Sequence, residues 1–146
     1  MPGIVVGVDG SGHSQRALQW AMKEAALRHA PLRVLTVHPA IVGYFGGIAT
    51  SQEDLVLTEQ TQAAVQTETD KVLAALDGPH PESVTVNAVH GFPVEELINA
   101  SKEADMVVLG SRGVGGFTRL MLGSTADQVV RHAHCPVTIV PHEDRN

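Results

Sequence analysis

Residues 110–124 read GSRGVGGFTRLMLGS, and the order of strand, glycine-rich turn and helix around this stretch decides the fold. Its pattern is Gly110, two residues, Gly113, nine residues, then Gly123 with Ser124. The preceding segment, residues 105–109 (DMVVL), reads as a buried strand that runs into the turn. Thr125 to His132 reads as a helix that leaves it. Glycine allows positive φ and places no side chain between backbone N–H groups and a ligand. The free N–H groups and dipole of a helix N-terminus attract an anion. The stretch is therefore a candidate phosphate cradle built on Gly110, Gly113, Gly123 and Ser124, with Ser111 also a candidate contact. The plain alternative is a pair of turn glycines followed by a helix cap. Arg112 and Arg119 are candidates to pair with phosphate oxygens, or else solvated surface arginines.

Working outward, five short apolar runs alternate with longer amphipathic segments. The runs are Ile4 to Val8, Leu32 to Val37, Val84 to Val89, Met106 to Leu109 and Val137 to Val140. Runs that are apolar on both faces indicate a parallel sheet covered by helices on both sides. The third run alternates more, as a strand near a sheet edge does. Ser14 is a candidate cap for a first helix with Ala17, Leu18, Ala21 and Ala25 on one face. A second helix spans roughly 54–76, with Val65, Val72, Leu73 and Leu76 inward. Pro93 occupies the first position of a third. Ser124 is expected to cap the last, which carries Val129 and Val130. The fold expected is an open, doubly wound α/β domain with a five-stranded parallel sheet, one domain over residues 1–146.

Ligands in such sheets bind beyond the strand C-termini. Asp9 ends the first strand there, in VGVDGSGHS, as a partner for ribose hydroxyls or for a phosphate-bound Mg²⁺; the plain reading is a turn-forming Asp before Gly10. Residues 39–52 (PAIVGYFGGIATSQ) form an irregular, glycine-rich stretch on the same side, either a cover over a ligand or a packing loop. His132, His134 and Cys135 resemble a metal cluster, but the two histidines suit a helix C-terminus and Cys135 precedes a strand, so no metal site is assigned. The remaining histidines read as scattered. The chain contains no GxxxxGK[ST], no GxGxxG at the first helix and no GxSxG, which argues against a P-loop NTPase, a Rossmann dinucleotide site and an α/β-hydrolase.

With 146 residues, 43% hydrophobic and 18% charged, the composition is that of an ordinary globular domain. A net charge of −6 without a Lys/Arg cluster opposes nucleic-acid binding. No apolar run approaches the about 20 residues of a membrane span. The single cysteine and the absence of a charged leader point to the cytoplasm.

Three stretches carry a family resemblance. IVVGVDGS (4–11), VHGFPVEEL (89–97) and DMVVLGSRGVGGFTRLMLGSTADQVVRHAHCPVTIVP (105–141) resemble the universal stress proteins, specifically their ATP-binding branch. The likeness extends over essentially the whole chain, with His134 standing where that family often has Pro. It implies strand order 3-2-1-4-5, with a nucleotide across the ends of strands 1 and 4. Carried over, Gly7, Val8 and Asp9 approach the adenosine and Val37 lines the adenine pocket. Gly110 and Gly113 flank ribose and phosphates, and Gly123, Ser124 and Thr125 hold the phosphates. ATP, or another adenine nucleotide, with Mg²⁺ is the implied ligand. A homodimer through the last strand, at Val137 and Ile139, is the implied assembly, since an apolar sheet edge invites pairing. The implied function is regulatory, in the stress response. The alternative is an ATP-consuming enzyme on a related fold, an adenylating enzyme or slow ATPase. Adenylating and sulfur-transferring relatives grip pyrophosphate with an SGGxDS loop, and DGSGHS does not match it.

Overall fold

The computed structural model describes residues 2–10, 14–39, 41–42, 48–49, 52–111 and 122–141. In chain order these form β1 (Ile4–Val8), α1 (Gln15–Arg28), β2 (Pro31–Pro39), β3 (Ile41–Val42), β4 (Ile48–Ala49), α2 (Gln52–Ala74), β5 (Ser83–Gly91), α3 (Pro93–Ser101), β6 (Met106–Gly110), α4 (Ser124–His132) and β7 (Val137–Val140). Five strands make one parallel sheet in the order β5-β2-β1-β6-β7. Counted among themselves along the chain, they stand in the expected order 3-2-1-4-5.

Strand alternation splits the interior into two cores. Ile4, Val6, Leu32, Val34 and Val108 face α1 and α2, and α1 contributes Ala17, Leu18, Ala21, Met22 and Ala25 to that core. Val5, Leu35, Val107 and Leu109 face the other way, against Leu97 of α3 and Ala126 and Val129 of α4. β1 and β6 lie inside the sheet and are covered on both faces. Their runs of consecutive β-branched and aliphatic residues follow from that. β5 is an edge strand, and its exposed Ser83, Thr85 and Asn87 explain its alternation.

Local expectations are corrected at three places, Ser14, Ser124 and residues 39–52. Ser14 precedes α1 but makes no side-chain cap; its Oγ accepts the N–H of Asp9 at 3.4 Å instead. The cap position of α4 is Gly123, and Ser124 is its first helical residue. Val130 is 47% exposed, because only Val129 of that adjacent pair lies on the inward stripe. Within 39–52, Ile41–Val42 and Ile48–Ala49 pair as a two-stranded antiparallel ribbon, so this stretch is not wholly irregular; residues 40, 43–47 and 50–51 lie outside the described residues.

Candidate functional site

All five strands are parallel, so their C-termini lie along one edge of the sheet. The ladders do not end at the same level. β1 pairs with β2 as far as Val8–Thr36, and β6 with β7 as far as Gly110–Val140. Between β1 and β6, in the middle of the sheet, the last registered pair is Val6–Val108. The two central strands thus part before their outer neighbours do. This is also where the sheet changes winding direction, since β2 and β5 are added on one side of β1 and β6 and β7 on the other. An opening at that point is where open α/β sheets take ligands.

Candidate residues from both sides surround the opening. Val8 and Asp9 end β1, with Asp9 exposed and Gly10 at φ +81. The left-handed region is unstrained only for glycine, so Gly10 sets the turn that Asp9 leads into. Val37 of β2 is half-buried against the core on the α3 and α4 side. Across the opening, Gly110 ends β6, and the N–H of Ser111 donates to Val140 O at 3.1 Å, continuing the β6–β7 ladder.

The carbonyl of Ser111 then accepts the N–H of Gly123 at 2.8 Å. This bond closes the two ends of the glycine-rich segment and brings the start of α4 to the end of β6. The first intrahelical bond of α4 runs from Asp127 N–H to Gly123 O at 2.9 Å. The N–H groups of Ser124, Thr125 and Ala126 therefore have no intrahelical acceptor, and among the described residues no side chain caps them. Asp127 in this first turn would repel an anion, but Arg131 holds its carboxylate at 3.2 Å. Arg112, Gly113 and Arg119 lie outside the described residues.

Gly7 has a packing role that the sequence reading did not identify. A Cβ there would meet Leu109 Cδ2 at 2.7 Å and Leu97 Cδ2 at 3.0 Å. Two leucine side chains thus occupy the place of the one it lacks, and only its backbone is left for a ligand. Nor are the histidines all scattered. His38 and His90 are register partners on β2 and β5, and their rings stack with centroids 5.4 Å apart at this same edge. His90 Nε2 is buried and has no hydrogen-bond partner among the described residues. The local signal, a histidine directly after each of these two apolar runs, was present, but cross-strand register cannot be read locally.

The His132/His134/Cys135 group lies elsewhere. His134 donates its backbone N–H to Ser101 Oγ at 2.9 Å, and both imidazoles are on exposed residues. Cys135 packs half-buried against the core on the α3 and α4 side. Burial pushes its thiol pKa up, the Asp105 carboxylate adds to this, and a hydrogen bond with the Val107 backbone opposes it. Among the described residues no three histidine, cysteine or carboxylate side chains gather as metal ligands, and no helix is long and apolar enough to cross a membrane.

The same architecture recurs in known proteins. Universal stress protein Rv1996 of Mycobacterium tuberculosis is 36% identical over 155 residues, covering 98% of this chain and 49% of that protein. The chain thus spans about half the length of the curated relatives it matches. Universal stress protein UspA from Lactobacillus plantarum superimposes with a TM-score of 0.75 at 27% identity, covering 95% of this chain and 97% of that one. A universal stress protein in complex with cAMP gives 0.70 at 27% identity, with 96% of each chain covered. The universal stress protein from Archaeoglobus fulgidus in complex with dAMP gives 0.61 at 26%, covering 95% and 97%. The Universal stress protein family itself matches residues 2–141, so the chain belongs to that family.

Proposed function

We propose that this chain is an adenine-nucleotide-binding regulatory protein of the stress response. In this reading ATP with Mg²⁺ lies across the ends of β1 and β6. The observation that carries it is the early end of the β1–β6 ladder at Val6–Val108, with the start of α4 tied to the far side of the gap through Gly123 and Ser111. The adenine lies against Val37, and the backbone of Gly7 and Val8 passes close to the adenosine. Asp9 meets ribose hydroxyls or the metal. Gly110, Ser111, Arg112 and Gly113 approach ribose and phosphates, and the N–H groups after Gly123, with the Ser124 and Thr125 hydroxyls, hold the phosphate chain. That two structural neighbours carry cAMP and dAMP supports the adenine part of the reading. The intact Gly110/Gly113/Gly123/Ser124 spacing is the support for the ATP-binding branch.

The same proposal takes residues 1–146 as one nucleotide-binding domain, cytoplasmic, with no internal disulfide to form from its one cysteine. It pairs as a homodimer along β7, the sheet edge that presents half-buried Val137 and Ile139. ATP is held and hydrolysed slowly or not at all.

Two measurements test the reading. Mass spectrometry of nucleotide released from denatured protein identifies what is carried, and an adenine nucleotide is expected. Titration calorimetry of Gly113→Val with ATP and Mg²⁺ should show affinity at least tenfold weaker, about 1.4 kcal/mol. Unchanged affinity in a folded variant would remove the glycine loop from the site.

A further inference from the structure

The strands β6, β1, β2 and β5 are neighbours in that order, and each brings one feature to the C-terminal edge of the sheet. These are the start of α4 bonded to Ser111, then Asp9, then Val37, then Gly91. Adjacent strands lie about 4.8 Å apart, so the row measures about 14 Å. In the nucleotide reading proposed above, phosphates, ribose and base follow the same order. The outer edge of the base then points toward the end of β5.

The α3 side of that end carries a carboxylate. Val37 and Val89 are register partners, and both pack on the α3 and α4 side. Side chains alternate along a strand, so position 91 faces the same way. Gly91 has no side chain, and Glu96 of α3 lies against its bare backbone. A Cβ there would stand 3.1 Å from Glu96 Oε1, 3.5 Å from Cγ and 3.6 Å from Cδ. Glu96 is half-buried and caps no N–H of α3. Among the described residues its carboxylate has no hydrogen bond or ion pair. Gly91 stands opposite Pro39, two residues beyond Val37 on the neighbouring strand. Its backbone is therefore about 8 Å from that of Val37, on the same face and at the same edge.

We propose that Glu96 accepts a hydrogen bond from the exocyclic amino group of the adenine and so selects adenine over guanine. This role rests on the nucleotide reading above. A carboxylate only accepts, and the amino group of adenine donates. A hydrogen bond to a charged acceptor is stronger than one between neutral groups. Guanine carries an oxo group at the same ring position, where lone pairs would meet lone pairs. A half-buried carboxylate left without its donor loses its water as well as its bond, which is the source of discrimination at such contacts.

The test is calorimetric titration of the full chain and its variants with ATP, GTP and purine riboside triphosphate, each with Mg²⁺; the last carries no group at that ring position. The wild type should bind ATP at least about tenfold more tightly than GTP. Glu96→Gln, whose amide N–H can donate to an oxo group, should lower that ratio at least about fivefold. Glu96→Ala should weaken ATP by a similar factor and leave purine riboside triphosphate unchanged. A purely structural role would weaken all three ligands alike. An unchanged ratio in Glu96→Gln, an equal loss for all three ligands in Glu96→Ala, or a wild type that binds ATP without preference over GTP would each overturn the role of Glu96 alone. A wild type that binds none of the three would overturn the nucleotide reading together with it.

Discussion

The N–H of Gly123 donates to the carbonyl oxygen of Ser111 across 2.8 Å, joining the start of α4 to the end of β6. One bond therefore fixes where the dipole of α4 points relative to the gap between β1 and β6. A helix terminus concentrates its partial positive charge within its first turn. Its position at the sheet edge is thus what turns a glycine-rich connection into a candidate phosphate site.

Gly7→Ala should lower stability by about 1–3 kcal/mol, the range for an overpacked core. Its new Cβ would press on Leu109 and Leu97 from both sides. Denaturant unfolding checks this, and the double variant Gly7→Ala/Leu97→Val should recover part of the loss. Nucleotide affinity of the folded fraction should change much less than in Gly113→Val, since only the backbone of Gly7 is left to meet the ligand. Undiminished stability would mean that Gly7 is not held by packing.

The β1 and β6 runs were readable because both faces of each strand are buried, which removes polar residues from the pattern. The third helix was marked by Pro93, which is indeed its first residue. Ser14 and Ser124 were misread because serine before a helix is favourable in more than one way. At Ser14 the hydroxyl turns back to Asp9, and at Ser124 the cap lies one residue earlier. The His38–His90 stack and the leucines over Gly7 depend on strand register and packing across the sheet; the two histidines were visible at the ends of their runs, but their pairing, like the leucines over Gly7, was not. The residues at the central opening were named from the sequence, but the uneven ladder ends that create it were not.

Cys135 gives a pH dependence of known sign. Burial raises its folded-state pKa above the ordinary value of 9.0, so the folded protein keeps this proton where the unfolded chain loses it. Its contribution to stability is complete below the unfolded pKa and is lost as pH rises through the folded one. The urea midpoint of the wild type relative to Cys135→Ala should therefore fall as pH increases from about 8 to 10. A pH-independent difference would contradict the burial account.

Replacing Val137 and Ile139 together by Lys should shift the protein toward monomer in sedimentation experiments. The substitution places charge along the β7 edge, a common means of blocking strand pairing. A wild type that is monomeric at micromolar concentration would remove the dimer from the proposal.

Turnover separates a carrier from an enzyme. Phosphoryl transfer needs a positioned nucleophile and charge stabilisation at the terminal phosphate. In the proposed pose Asp9 lies by the ribose or the metal, away from that phosphate. Single-turnover hydrolysis of ATP with Mg²⁺ should run far below the usual enzymatic range of about 1 to 1000 per second, for wild type and Asp9→Asn alike. A rate on the order of 1 per second that Asp9→Asn abolishes would establish the enzyme reading.

The most direct test of the nucleotide site is amide chemical-shift mapping during titration with ATP and Mg²⁺. Saturable shifts are expected at Asp9, Val37, Ser111 and Gly123 through Ala126, the residues bordering the gap where the β1–β6 ladder ends. Adenine nucleotides should share this pattern, and GTP should not saturate it. Saturable shifts confined to other surfaces, or none at all, would contradict the account.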